Sequence, residues 1–337
     1  MNVVLILNKF RANPGFMQAH HADTFRESVS AVLGAPPDPA PLMPQVLDVA
    51  ACPGYRQEHI KYQVSPGDWS YAYLLIPDNL RSAAPAIYAH HRHNFKLGKA
   101  EIVGLGGDKE QAIGIELVKR GYIVFAPDAL GFGERRSPDS DGDTYDLAYS
   151  FHQLALRLLR GETLLKKVLW DVSKGIDYLE TRTEVNSHFM GFIGVGYGAK
   201  MALWAAAMDS RISAAVAHNG IVTYREHVKS GEWFQVEFVV PRLMQVADMH
   251  HILSLIAPRP FLLSATDGIG QSADVAEIYH KTLPVYEKQG ASNRVALYRY
   301  KSAEDAFTPE MRFNAYTWLD SWLNPGLAMP GPRPKTT

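Results

Sequence analysis

Apolar positions along this chain recur with two periods, and the alternation between them predicts a layered fold. Residues 16–34 read as a helix ended by Gly34, and the proline-rich stretch 35–44 reads as a linker. From Ile60 the period shortens to two. Ile60, Tyr62 and Val64 alternate with polar residues, and 69–76 is a second strand-like run closed by Pro77-Asp78-Asn79.

Strands and helices then take turns. Residues 86–90 form a short apolar run; 111–120 read as a helix stopped by Gly121, and a strand follows over 122–126. Leu165, Leu169, Val172, Ile176 and Leu179 recur at helical spacing. Strands over 189–195, 212–217, 261–265 and 294–300 alternate with helices over 199–208, 271–289 and 309–323. Such a series predicts a mostly parallel central sheet with helices on both faces, preceded by two or three antiparallel-type strands. The segment 223–258 breaks the alternation and is expected to lie as a cap over the carboxyl edge of the sheet, where open α/β sheets bind ligands. The expected organisation is an N-terminal helical extension with its linker over 1–45, an α/β domain over 46–325 and a flexible tail over 326–337.

Composition narrows the function classes. Of 337 residues, 47% are hydrophobic, which suffices for one large core, and 34 basic residues balance 35 acidic ones. No basic tract interleaves with aromatics, so nucleic acid and anionic membranes are not expected partners. No stretch approaches the ~20 apolar residues of a membrane helix, and the run 3–7 is too short for a signal-peptide core. Cys52 is the only cysteine, which excludes an intrachain disulfide and suits a reducing, cytoplasmic setting.

The most informative segment is Gly194-Val195-Gly196-Tyr197-Gly198. A strand enters, glycines crowd a turn, and a helix leaves, which is the context of the nucleophile elbow G-x-S-x-G with glycine at its centre. A dinucleotide fingerprint is the weaker reading, because the spacing is G-x-G-x-G and the site lies mid-sheet. Three further stretches carry a family likeness: Gly121-Tyr122-Ile123-Val124-Phe125-Ala126-Pro127-Asp128 with Gly131-Phe132-Gly133-Glu134-Arg135, then Ala257-Pro258-Arg259-Pro260-Phe261, then Ala306-Phe307-Thr308-Pro309-Glu310-Met311-Arg312. With the elbow they resemble the α/β-hydrolase superfamily, in the branch of dienelactone hydrolases and acetyl-xylan-esterase-like proteins.

The resemblance implies an α/β-hydrolase fold and a triad in the order nucleophile, acid, histidine. Matched residue by residue, the nucleophile position falls on Gly196, the acid on Asp267 and the histidine on Asp305. Composition supports the two substitutions without any alignment. The last histidine is His280, and no serine lies between Ser187 and Ser210. Glycine offers no nucleophile, and an aspartate cannot stand in for an imidazole near neutral pH without a large pKa shift, so an ordinary serine esterase is excluded.

Four groups could still do chemistry near the expected pocket. The loop His90-His91-Arg92-His93 corresponds to the family's oxyanion loop, so His91 and His93 are expected to polarise substrate; no carboxylate spacing completes a metal set, so neither metal nor cofactor is expected. His218, at a strand end on the same edge, is either a general base or a hydrogen-bonded strand terminus. Asp267 and Asp305, with Glu304, would raise one another's pKa if adjacent, or Asp305 is exposed and uninvolved. Tyr197 supplies an oxyanion amide, and its phenol either packs under the cap or donates to a substrate carbonyl.

These features point to a non-hydrolytic enzyme of cyclase, dehydratase, isomerase or carbon–carbon lyase type, acting on a carbonyl- or ester-bearing small molecule in a biosynthetic pathway. A ligand-binding pseudoenzyme and a hydrolase using directly activated water remain the alternatives. A homodimer is compatible with the N-terminal extension.

Overall fold

The computed structural model describes residues 19–267, 272–301 and 306–324. In chain order the helices are α1 (Ala19–Leu33), α2 (Lys99–Ile102), α3 (Ile113–Lys119), α4 (Asp143–Leu159), α5 (Leu164–Glu180) and α6 (Tyr197–Met208). They continue as α7 (Tyr224–Ser230), α8 (Leu243–Val246), α9 (Met249–Ser254), α10 (Ser272–Lys288) and α11 (Pro309–Leu323). The strands are β1 (Gln45–Cys52), β2 (Tyr55–Ser65), β3 (Asp68–Pro77), β4 (Ala84–His90) and β5 (Ile123–Pro127), then β6 (Val185–Val195), β7 (Ile212–His218), β8 (Phe261–Thr266) and β9 (Val295–Tyr300).

All nine strands form one sheet in the order β1-β2-β3-β5-β4-β6-β7-β8-β9. The first three strands pair antiparallel, β3 meets β5 antiparallel, and every pairing from β5 to β9 is parallel. Parallel strands covered on both faces need no polar alternation, so β5 and β8 are buried along their whole length. This is the mostly parallel sheet expected from the strand–helix series, in the α/β-hydrolase arrangement that the family resemblance implies.

Two elements escaped the periodicity for a physical reason. β1 is exposed along nearly its whole length, so it has no apolar face to announce it. On α4 only Asp146, Ser150 and Leu154 are buried, a stripe too narrow and too polar to read as amphipathic. The N-terminal helix α1 packs onto the body: Val29 and Leu33 are buried in the main core, and Arg26 Nη2 donates to Leu255 O at 2.9 Å.

One topological feature fixes where ligands can go. The chain runs from β4 out to β5 on one side, then crosses back to β6 on the other. Open α/β sheets bind ligands at such a switch, in the crevice beyond the strand ends. Here the crevice lies beyond His90 of β4 and Val195 of β6, with His90 in register with Gly194.

The loop after β5 is held by buried ions. Asp128 accepts from the amides of Lys99 at 2.8 Å and Glu134 at 2.9 Å and from Lys99 Nζ at 2.6 Å. Arg135 bridges Asp171 at 2.8 Å and Asp68 at 3.0 Å. Both groups are committed to this scaffold.

Candidate active site

The turn after β6 is built by backbone contact. A Cβ on Gly194 would lie 2.2 Å from the carbonyl of Gly198, and one on Gly198 would lie 2.4 Å from His90 O. The ends of β4 and β6 and the first turn of α6 therefore touch without side chains between them. Gly196 differs. Its φ of 58° and ψ of −107° lie in a region that disfavours side chains, yet a Cβ there would meet nothing within 4 Å. Its amide donates to His218 O at 2.9 Å, which ties the turn to β7. The amides of the first turn of α6, Tyr197 included, have no intrahelical acceptor and stand at the positive end of the helix.

The histidines beside this turn are mostly occupied. His91 is fully buried; its Nδ1–H donates to Arg92 O at 2.7 Å, and its Nε2 accepts from the Ala129 amide at 3.1 Å. Those partners fix a neutral tautomer, and burial pushes its pKa down to about 4. His91 thus links the loops after β4 and β5 through both ring nitrogens. His93 keeps surface exposed while its ring packs edge-on against Phe95 and Phe132. Burial, with the charge of Lys200, holds its pKa below the ordinary histidine value.

His218 is fully buried and stacked on Phe307 with ring centroids 4.3 Å apart. Its Nε2–H donates to Ala306 O at 3.2 Å, and its Nδ1 shares a hydrogen bond of 2.7 Å with Ser264 Oγ. Both ring nitrogens of His218 are thus hydrogen-bonded at the end of β7. Asp267 follows β8 and stays exposed, in an ion pair with Arg299 at 2.8 Å. Asp305, with Glu304, lies outside the described residues. Among the described residues, no three His, Cys, Asp or Glu side chains converge on a point that a metal could occupy.

The structure adds two ionisable groups to Tyr197. The segment 223–258 is pinned by carboxylates: Thr223 Oγ1 donates to Asp274 at 3.1 Å, and the Tyr224 amide donates to Asp248 at 2.8 Å. The 3-10 turn Val236–Phe238 packs against α5 and α4, and its Phe238 ring reaches the side chains of α6. Tyr197 and Lys200, three residues apart, share one helix face. Phe238 meets both: its ring centroid lies 5.6 Å from that of Tyr197 and 5.4 Å from Lys200 Nζ. Beside it Glu237 is 1% exposed, and among the described residues neither its carboxylate oxygens nor the Tyr197 hydroxyl has a side-chain hydrogen-bond partner. Burial pushes Glu237 up to about 7, against the pull of its own amide and of Lys200. Burial likewise draws Lys200 down to about 8, against Glu237 and Glu232.

A sequence signal for Lys200 existed. α6 is apolar all round, so it must be buried, and its lone charge must be buried with it. Glu237 likewise interrupts the apolar run from Phe234 to Val240.

The Glu237 carboxyl predicts a pH signature. A raised acid pKa means the folded state holds its proton more tightly than the unfolded chain does. Its stabilising share is complete below the ordinary value of 4.5 and is lost as pH rises through about 7. Glu237→Gln removes that loss. Urea melts should show the variant gaining on the native protein by on the order of 3 kcal/mol between pH 4.5 and 8. A difference that does not change with pH would show that Glu237 ionises freely.

Comparison with known proteins places this geometry in context. Residues 99–250 match the dienelactone hydrolase family. A Bacillus subtilis (strain 168) protein named as a hydrolase, YtaP, is 29% identical over 307 residues, which cover 88% of this chain and 98% of the relative. A Bacteroides fragilis structure named as an acetyl xylan esterase superposes with a TM-score of 0.72 at 18% identity, covering 97% of this chain and 92% of the other. A glucuronoyl esterase from Solibacter usitatus gives 0.65 at 15% identity, covering 90% of this chain and 94% of its own. At such identities the structures speak for the fold.

Proposed function

We propose, from an α/β-hydrolase fold of the dienelactone hydrolase and esterase type, that the chain binds a carbonyl- or ester-bearing small molecule over the Gly196 elbow and transforms it without an acyl-enzyme. One observation carries this reading. The backbone that presents a nucleophile elsewhere is retained, with open space where the side chain would stand, and the residue is glycine. The three triad positions are assigned to Gly196, Asp267 and Asp305.

The retained parts suit polarisation rather than covalent attack. A carbonyl oxygen above the turn would meet the Tyr197 amide and the positive end of α6, which stabilise negative charge developing on that oxygen. Proton movement falls to ionisable groups under the cap, because both ring nitrogens of His91 and of His218 are engaged. Cyclisation, dehydration, isomerisation and carbon–carbon cleavage each need an activated carbonyl and a proton relay, and none needs a serine. A biosynthetic role in a reducing compartment fits this chemistry and the single thiol, Cys52.

The test is hydrolysis of p-nitrophenyl acetate by the native chain and by the double variant Gly196→Ser, Asp305→His. The native chain should stay at background. The variant should rise about tenfold or more above it and react at position 196 with a serine-directed phosphonate. Good native turnover would overturn this reading in favour of directly activated water. A folded but silent variant would show that Gly196 and Asp305 do not occupy the nucleophile and histidine positions.

A further inference from the structure

The cap and the elbow helix enclose an amine that the triad scheme never uses. Lys200 Nζ lines a small cavity with Thr223, Tyr224, His227 and Phe238, open to solvent on one side. The polar neighbours there are spoken for: Thr223 binds Asp274, Tyr224 OH donates to Phe238 O at 2.9 Å, and His227 Nε2–H donates to Trp233 O at 3.0 Å. Lys200 itself has one hydrogen bond, to Gln235 Oε1 at 3.2 Å, and among the described residues no carboxylate lies within ion-pair distance. Glu237, nine-tenths buried and more, precedes Phe238, whose ring lies 5.4 Å from this amine, and among the described residues neither of its carboxylate oxygens has a side-chain partner.

We infer that Lys200 is a carbonyl-reactive amine that condenses with a small aldehyde or ketone entering this cavity, while Glu237 moves the protons. This rests on the reading of the chain as one that acts on carbonyl compounds and names an amine that would take part. In the step, the neutral Nζ lone pair attacks the carbonyl carbon, a C–N bond forms, and the C–O π pair goes to oxygen. Oxygen takes the Glu237 proton to give the carbinolamine. The resulting carboxylate then accepts a proton from nitrogen and returns one to the departing hydroxyl. The C–O bond breaks, and the products are an imine and one water. No electrons are gained or lost. The protonated imine can then accept the electron pair of an adjacent C–H or C–C bond, which isomerisation and lyase chemistry require. Desolvation favours the first step, since an amine titrating near 8 is neutral in about a tenth of molecules at pH 7.

The experiment traps the imine on the full chain. Propanal with sodium cyanoborohydride at pH 7, sampled over time and mapped by peptide mass spectrometry, should propylate Lys200 ahead of every other lysine. Glu237→Gln should slow labelling at Lys200 about tenfold and leave the exposed lysines unchanged. Lys200→Met, with Lys200→Arg as a second variant, should remove the fast-labelled site. Labelling spread over exposed lysines, with Lys200 unmodified in the folded native chain, overturns the inference; so does fast labelling at Lys200 that Glu237→Gln leaves unchanged. The two readings fail separately. An unlabelled Lys200 with an esterase-active elbow variant removes only the amine site, and a labelled Lys200 with an inert elbow variant removes only the elbow assignment.

Discussion

Gly198→Ala is expected to prevent this chain from folding, whereas Gly196→Ala, two residues away, is expected to cost only about 1–3 kcal/mol. The contrast follows from what each new methyl would meet. At Gly198 the Cβ would sit 2.4 Å from His90 O and 2.9 Å from His91 O, both backbone atoms at the end of β4. Neither can rotate away, so α6 would have to lift off the sheet by a sizeable fraction of an ångström. Its face is lined by fully buried residues, including Tyr197, Met201 and Trp204, and overpacking at so rigid a site costs more than about 4 kcal/mol. That approaches the whole stability of a typical domain. At Gly196 the new methyl meets open space, and only the backbone torsion is strained. Circular dichroism and urea melts of the two variants decide the matter. Equal melting behaviour would mean that the close approach of β4, β6 and α6 is not present in solution.

The second large effect is expected at Arg135, in the loop after β5. Arg135→Met should destabilise the fold by about 3–5 kcal/mol, because it strands two acidic groups in a buried network. Arg135 donates to Asp171 Oδ2 at 2.8 Å and to Asp68 Oδ1 at 3.0 Å, and Lys167 Nζ bridges the same two carboxylates from the other side. Methionine fills much of the volume but leaves Lys167 to balance both acids. Burial alone would raise the Asp68 pKa; Arg135 first and Lys167 second hold it below the ordinary value of 3.8. Such a depressed acid contributes stability above that value and loses it as pH falls through the folded pKa. The variant should therefore melt lower at pH 7 and show a flatter dependence on pH near 3 to 4 than the native chain. A melt within experimental error of the native one at pH 7 would mean the network is solvated rather than buried.

Much of the scaffold could be read directly from the chain. The helix 309–323 was expected with the bounds it has, and the apolar runs at 86–90 and 261–265 are the cores of β4 and β8. Period and length are local properties. A strand buried on both faces must be apolar throughout, and a helix must repeat near every third or fourth residue, whatever else the chain does. The elbow was legible for the same reason, since the spacing of Gly194, Gly196 and Gly198 is a local backbone requirement. β1 and α4 were not, because neither presents an apolar face wide enough to leave a pattern.

The ionisable groups divide along the same line. Sequence alone determined that no serine stands at the turn and that no histidine follows His280, facts that hold whatever the fold. It could not say which histidines were already spent. That His91 braces two loops, and that His218 is bound by Ser264 and Ala306, depends on partners 38, 46 and 88 residues away. Nor could it join Lys200 on the elbow helix to Glu237 in the cap. The pKa of a group is set by how much water the fold removes from it and by which charges remain nearby, and both are sums over the whole molecule. The backbone was therefore determined locally and read locally, while the chemistry around Lys200 and Glu237 was decided only when the segment carrying Phe238 packed against α4, α5 and the side chains of α6.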